Sequence, residues 1–149
     1  MATTRLPSDF KDFLRLLRAH RVEYLLIGGY AVGYHGYARA TVDMDIWIAR
    51  TAENAERIVA VLGEFGFPDA ATVRNALETE NKIIRMGVPP LRIELATTIS
   101  GVSFEACYRE RVTDEIDGVP VDIIDLVRLK ENKRASGRLK DLADLEMLP

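Results

Sequence analysis

Residues 25–48 read LLIGGYAVGYHGYARATVDMDIWI, two apolar runs joined by a glycine-rich segment. The first run stops at Gly28 and Gly29. The second alternates, so Asp43, Asp45 and Trp47 project from one face of a predicted strand and the aliphatic residues between them from the other. Two like charges on one strand face repel each other. The apolar neighbours indicate an interior strand, so this pair requires a partner of opposite charge.

Composition describes an ordinary globular chain. The 149 residues are 48% hydrophobic and 29% charged, enough apolar material for one domain that spans residues 1–149. No apolar run approaches the roughly 20 residues of a membrane span, and no secretory signal is visible at the N-terminus. The single cysteine, Cys107, excludes an internal disulfide and is interpreted as a buried residue. A cytoplasmic location is therefore expected, and a net charge of −3 does not suggest a protein that coats nucleic acid.

The first half of the chain predicts helices alternating with strands. An amphipathic helix with Ser8 as its cap precedes a buried strand that ends at Gly28, and a short helix then leads to the strand at 41–49. The next helix is capped by Thr51 and stops at Gly66. Residues 68–81 are interpreted as a loop or a partly helical excursion.

The second half predicts two pairs of strands and more helices. Two strands surround a Gly-Val-Pro-Pro turn at 87–90, a short helix follows, and an Asp-Gly turn at 117–118 joins two further strands. Two C-terminal helices are separated near Ser136 and Gly137. The predicted fold is α/β or α+β, with a mixed β-sheet flanked by helices.

The acid pair and the glycine pair together predict a site for a metal and a phosphate. Mg²⁺ prefers oxygen ligands and is typically held by one or two carboxylates plus substrate phosphates. Gly28 and Gly29 lie where a strand gives way to a helix, and glycine lets a phosphate approach the backbone closely. Glu94, on the polar face of LRIEL, is the candidate third carboxylate beside Asp43 and Asp45. An ion pair with Arg92 is the alternative interpretation of Glu94.

These motifs resemble the signature of the nucleotidyltransferase superfamily, which has the DNA polymerase β-like fold. IGG and DMDI match it with thirteen residues between Gly29 and Asp43, and IEL matches its third element with Glu where Asp is commoner. The whole chain looks like the small stand-alone prokaryotic members, some of which resemble abortive-infection and toxin–antitoxin nucleotidyltransferases. The resemblance implies transfer of a nucleoside monophosphate from an NTP such as ATP, with release of pyrophosphate.

The resemblance also implies roles for individual residues. Gly28 and Gly29 would hold the triphosphate, while Asp43, Asp45 and Glu94 would be catalytic and would bind Mg²⁺ or Mn²⁺. Three further residues belong to the implied nucleotide-binding set: Arg39, Thr41 and Lys130. The acceptor hydroxyl could belong to an RNA 3′ end, a protein or a small molecule, and a homodimer or a cognate partner protein could supply its binding surface.

Basic residues cluster near the C-terminus: Lys130, Lys133, Arg134, Arg138 and Lys140. This cluster is either a solvated face or a surface that meets the substrate. In the segment KDLADL, Leu142 and Leu145 are expected in the core, with the neighbouring acids pairing locally. Trp47 shares the face of the acid pair, where simple packing is expected and base stacking is the alternative.

Three other functions share part of this pattern. A dinucleotide-binding domain is disfavoured because Tyr30 stands where the G-x-G-x-x-G fingerprint needs its second glycine. A metal-dependent glycosyltransferase would leave Gly28 and Gly29 without a role. A catalytically weak nucleotidyltransferase fold, kept as an NTP-binding or toxin–antitoxin partner module, stays the main alternative.

Overall fold

The structure, a computed structural model, describes residues 4–88 and 90–149. Its helices and strands follow in chain order: α1 (Ser8–Ala19), β1 (Tyr24–Ile27), α2 (Gly28–Tyr34), β2 (Asp43–Ile48), α3 (Ala52–Phe65), a 3₁₀ turn (Ala70–Val73), α4 (Arg74–Leu77), β3 (Ile83–Met86), β4 (Arg92–Ala96), α5 (Phe104–Arg109), β5 (Val112–Ile116), β6 (Val119–Ile123), α6 (Leu126–Ser136) and α7 (Leu139–Met147).

The six strands form one mixed sheet in the order β3-β4-β2-β1-β6-β5. β2 runs parallel to β4 and antiparallel to β1, and β1 runs parallel to β6. The two edge strands, β3 and β5, are antiparallel to their neighbours. The predicted mixed sheet flanked by helices is therefore confirmed, and β1 and β2, which carry the motif, lie at its centre.

Local chemistry explains most element boundaries. Thr51 accepts a hydrogen bond from the amide of Asn54 and caps α3, and Gly66 ends that helix in the left-handed conformation. Asp117 and Gly118, both with positive φ, form the turn between β5 and β6 as predicted. The predicted Ser8 cap is wrong, because Ser8 is already inside α1, which begins directly after Pro7 without a side-chain cap.

Two predicted loops have more specific outcomes. The segment at 68–81 contains the 3₁₀ turn and α4, so its helical interpretation is confirmed, and Leu77 from α4 is buried in the core. The predicted turn at 87–90 includes Pro89, which lies outside the described residues. Strands β3 and β4 on either side of it pair as predicted.

The C-terminal helix α7 turns its acids inward, contrary to the sequence-based expectation. Asp141 and Asp144 are each only 3% exposed, whereas Leu142 is 39% exposed and Leu145 is only partly buried. The expectation failed because cationic side chains from outside α7 meet these carboxylates, as described below. The predicted break between α6 and α7 is confirmed, with Gly137 at a positive φ of 66°.

Two expectations based on composition can be compared with the structure. Cys107 is fully buried, as predicted. Within residues 4–88 and 90–149, no helix combines the length and the apolar character needed to cross a membrane.

Candidate active site

Parallel pairing of β2 with β4 brings the predicted acids together. Asp45 lies opposite Glu94, and Asp43 lies opposite Arg92. Because side chains alternate along a strand, Asp43, Asp45 and Glu94 share one face of the sheet. All three line a cavity of about 590 Å³. The sequence identified the residues, and the register of two strands 49 positions apart makes them neighbours.

Gly28 lines the same cavity and touches one of these acids. It follows the last residue of β1 and begins α2 with a φ of +68°. A β-carbon at this position would overlap the Oδ2 atom of Asp45 and be strained by the backbone conformation as well. Glycine is therefore required here by close packing against Asp45, and its backbone faces the space that the acids enclose.

Two arginines contact the acid cluster from the strands themselves. Arg92 donates to both carboxylate oxygens of Asp43, at 3.1 and 2.8 Å, and lies 3.3 Å from Glu94. Arg85, on β3, donates to Glu94 at 3.2 Å. The two interpretations of Glu94 thus coincide, since it is ion-paired and also adjacent to Asp45.

The donor set suits a divalent cation by its chemistry. Carboxylate oxygens are the ligands that Mg²⁺ prefers, and three of them project from neighbouring positions on β2 and β4. With Arg92 paired to Asp43 and Glu94, no three His, Cys, Asp or Glu side chains in the described part of the chain converge on one point as metal ligands. Binding of a cation by all three acids would require Arg92 to move away from Asp43.

The pKa of Asp45 shows the effect of burying a carboxyl group beside other acids. Burial, together with the charges of Glu94 and Asp43, raises the pKa of its carboxyl to about 6, while Lys140 and Lys133 act in the opposite direction. Ionisation of Asp45 is therefore less favourable in the folded protein than in the unfolded chain. A bound cation would stabilise the ionised form and lower the pKa of Asp45.

Asp45→Asn is expected to make the metal-free protein more stable at pH 8 by roughly 3 kcal/mol. The pKa is raised from 3.8 to about 6, so this group stabilises the fold fully below about pH 3.8 and loses that contribution as the pH rises through 6. Asparagine does not titrate, so the advantage of the variant should grow over the same interval and vanish near pH 4. Urea unfolding in a chelator at pH 4, 6 and 8 measures it. An equal difference at all three pH values would contradict the assignment.

Helices α6 and α7 supply cationic side chains to the same cavity. Lys133, Arg138 and Lys140 line it together with Asp141. Lys133 is only 4% exposed, and its ammonium lies 2.8 Å from Asp141 and 3.1 Å from Asp144. The basic cluster is thus divided: Lys133 is buried at the cavity, whereas Arg134 on the same helix is exposed.

Sequence reasoning missed the buried network around Lys133. Burial raises the pKa of Asp141, but hydrogen bonds from Lys133 and Ser136 outweigh it and lower the pKa to about 2. Arg39 completes the network with two hydrogen bonds of 2.8 Å to Asp144. The available signal was the spacing of Asp141 and Asp144, which at i and i+3 share one helix face.

The remaining predicted nucleotide-binding residues lie elsewhere. Arg39 and Thr41 line a second, smaller cavity of about 250 Å³ together with Gly29. A β-carbon on Gly29 would come within 2.5 Å of the Thr41 hydroxyl oxygen, so this glycine is required by packing on that side. Lys130 is not among the residues lining the acid-containing cavity, and its ammonium donates to the carbonyl of Pro149 at 2.7 Å. The structure therefore brings Gly28, Asp43, Asp45 and Glu94 together at one cavity. The other predicted site residues do not line it: Gly29, Arg39, Thr41 and Lys130.

Comparison with solved structures supports the fold. The chain is similar to a crystal structure from Thermotoga maritima described as a "putative nucleotidyltransferase", with a TM-score of 0.62 and 13% identity over 93% of this chain and 88% of the other. No family model matches the sequence. No curated protein matches it either. The likeness establishes a nucleotidyltransferase-like fold, a mixed sheet with flanking helices.

Proposed function

We propose that the protein transfers a nucleoside monophosphate from an NTP to a hydroxyl group of an acceptor and releases pyrophosphate. The observation that carries the proposal is the pairing of Asp45 with Glu94 on adjacent parallel strands, in a cavity that Gly28 also lines. Asp43, on the same face, completes a set of carboxylates suited to Mg²⁺ or Mn²⁺. When bound, the cation would neutralise charge on the phosphates and lower the pKa of the attacking hydroxyl.

Residues of this chain would bind the phosphates and accept the proton that the reaction releases. The backbone at Gly28 lies open to the cavity and would accept a phosphate at close range. Lys140 and Arg138, exposed at the cavity, would neutralise the triphosphate. Glu94 would accept the proton of the acceptor hydroxyl. At the same time the hydroxyl oxygen would form a bond to the α-phosphorus of the NTP, and the bond between the α-phosphorus and the departing pyrophosphate would break. The acceptor could be an RNA 3′ end, a protein or a small molecule.

Millimolar NTP with Mg²⁺ is expected to raise the melting temperature by several degrees. Ligands that bind only the native state stabilise it, by about 2.7 kcal/mol at a hundred times Kd, and each kcal/mol shifts the melting temperature of a chain this size by about 2–4 °C. Thermal unfolding with each of the four NTPs, with and without Mg²⁺, measures the effect. Asp45→Asn should lose the Mg²⁺-dependent part. The absence of a shift with every NTP would contradict the proposal.

A pyrophosphate-release assay separates the enzyme from the binding module. Stabilisation by Mg²⁺ and NTP without pyrophosphate release, in the presence of cell extract as a source of acceptors, would favour the NTP-binding or toxin–antitoxin partner module. Incubation of that extract with labelled NTP then identifies the labelled fraction, whether RNA, protein or small molecule.

A further inference from the structure

Arg92 pairs with two of the three carboxylates that the proposed cation would use. Its Nε and Nη2 atoms donate to the two oxygens of Asp43 at 3.1 and 2.8 Å, and Nε also lies 3.3 Å from Oε1 of Glu94. A guanidinium matches a carboxylate in this two-point arrangement, which engages both oxygens at once. Asp43 therefore already has a cationic partner within the chain.

The register of the sheet puts Arg92 on the same face as the acids. Arg92 is paired with Asp43 across β2 and β4, and Asp45 is paired with Glu94 two positions further along. Because residues two apart share a sheet face, these four side chains project to the same side. Arg85 joins them from β3, where it is paired with Glu94. This face thus carries three acids and two arginines in adjacent positions.

The balance of charge on this face disfavours a divalent cation while Arg92 is paired. When the three acids are ionised, the two arginines leave one net negative charge, less than a divalent cation requires for neutrality. With Arg92 turned away, two negative charges remain, which a divalent cation balances. Repulsion between a guanidinium and a nearby metal ion acts in the same direction. The two cations therefore compete for the carboxylate of Asp43.

Arg92 is placed so that its side chain can leave Asp43 without a change in the strand. The side chain is 31% exposed and does not line the acid-containing cavity, so it approaches Asp43 from outside that space. A long side chain in such a position reaches solvent by rotation about its own bonds. Arg85 differs, because its ion pair is with Glu94 rather than with Asp43.

We infer that Arg92 competes with the divalent cation for Asp43 and thereby sets the affinity of the acid cluster for metal. In the free protein the guanidinium is paired with Asp43, and binding of the cation there releases it. When only a fraction of the protein is competent to bind, the apparent affinity is reduced by that fraction. The inference rests on the proposed function for the place of the cation, and it adds a control of metal binding by a residue outside the ligand set.

Titration with Mn²⁺ alone, followed by electron paramagnetic resonance of the free ion, tests the inference without NTP or acceptor. Arg92→Gln removes the competing charge and should bind Mn²⁺ roughly tenfold more tightly than the wild type. Arg92→Lys keeps the charge but loses the two-point contact, so its affinity should be intermediate. It replaces the glutamine variant in the comparison should that variant fail to fold. Affinity equal to that of the wild type would overturn the inference, and so would weaker binding, which would mean that Arg92 orients Asp43 for the metal.

Arg111→Gln is the matched control. Arg111 is also a partly exposed arginine, 36% against 31%, and it pairs with a strand carboxylate, that of Asp122 on β6. Neither residue lines the acid-containing cavity, so this variant should leave the affinity for Mn²⁺ unchanged. A similar gain in Arg111→Gln would attribute the effect to net charge and contradict the inference.

A double variant locates the bound ion. Asp45→Asn combined with Arg92→Gln should lose the gain in Mn²⁺ affinity, because Asp45 belongs to the acid cluster and Arg92 does not contact it through the ion pairs described above. A gain that survives Asp45→Asn would place the ion elsewhere and contradict the inference.

The side-chain NMR signal of the Arg92 Nε–H group is a direct readout in the wild type, identified by its loss in Arg92→Lys. This group donates to Asp43, so Mg²⁺ should shift the signal and speed its hydrogen exchange with water. The Nε–H of Arg39, which donates to Asp144, is the internal reference and should not change. An Arg92 signal that is unaffected at saturating Mg²⁺ would overturn the inference.

Failure of this inference and failure of the proposed function give different results. Tighter Mn²⁺ binding by Arg92→Gln, without stabilisation of the wild type by Mg²⁺ and any NTP, would support the inference and contradict nucleotidyl transfer. Stabilisation of the wild type by Mg²⁺ and NTP with release of pyrophosphate, but without a gain in Arg92→Gln, would support the proposed function and contradict the inference.

Discussion

Asp45→Asn is expected to reduce the proposed nucleotidyl transfer roughly a thousandfold or more, because it removes the charge of a proposed metal ligand at the centre of the acid cluster. Asparagine keeps the shape of the side chain and its contact with Gly28. The variant should also be more stable than the wild type in a chelator at pH 8. Loss of activity together with a gain in stability would exclude misfolding as the cause.

The measurement is pyrophosphate release with the NTP and acceptor fraction found for the wild type. Asp43→Asn should behave similarly in activity, although it also removes the partner of Arg92. The matched control is Glu115→Gln, an exposed acid on the edge strand β5, which should retain full activity. Full activity of Asp45→Asn would mean that the cluster is not the catalytic centre.

Lys133→Met is expected to lower the free energy of unfolding by about 3 kcal/mol, the second large effect. The substitution keeps the length of the side chain but removes the cation that Asp141 and Asp144 share, at 2.8 and 3.1 Å. Breaking a buried ion pair by removing one partner leaves an uncompensated charge, which typically costs about 3–5 kcal/mol. Arg39 and Arg138 still pair with one acid each, so the expected loss of stability lies at the lower end of that range.

Urea unfolding at pH 7 measures the change in stability. Arg134→Met on the same helix is the control, and as an exposed position it should change stability by less than about 0.5 kcal/mol. The triple change Lys133→Met, Asp141→Asn, Asp144→Asn should recover part of the loss, because neutral amides no longer require the cation. A Lys133→Met protein within 1 kcal/mol of the wild type would show that the network contributes little.

The residues of the site were more predictable than their arrangement. Asp43, Asp45 and Gly28 were found from the sequence because strand alternation and glycine chemistry are local properties of the chain. The placement of Glu94 beside Asp45 depends on parallel pairing between β2 and β4, which no local pattern specifies. The position of Arg92 opposite Asp43 could not be predicted for the same reason, because it follows from that register.

The C-terminal residues were the least predictable part. Lys130 and Lys133 are three positions apart on one helix, yet Lys133 reaches the cavity and Lys130 bonds to Pro149. Leu142 was expected in the core and Asp144 was not, because burial of a carboxylate is favourable only when a cation from elsewhere in the fold meets it. Arg39 does so from 105 residues away.

Local pattern was therefore sufficient for the strands of the motif, the Thr51 cap, the Asp117-Gly118 turn and the break at Gly137, since each depends on neighbours in the chain. Tertiary packing decided which charges are buried and which cations line the cavity. These outcomes depend on pairing free energies between distant residues, and on a strand register that exists only once the sheet has formed.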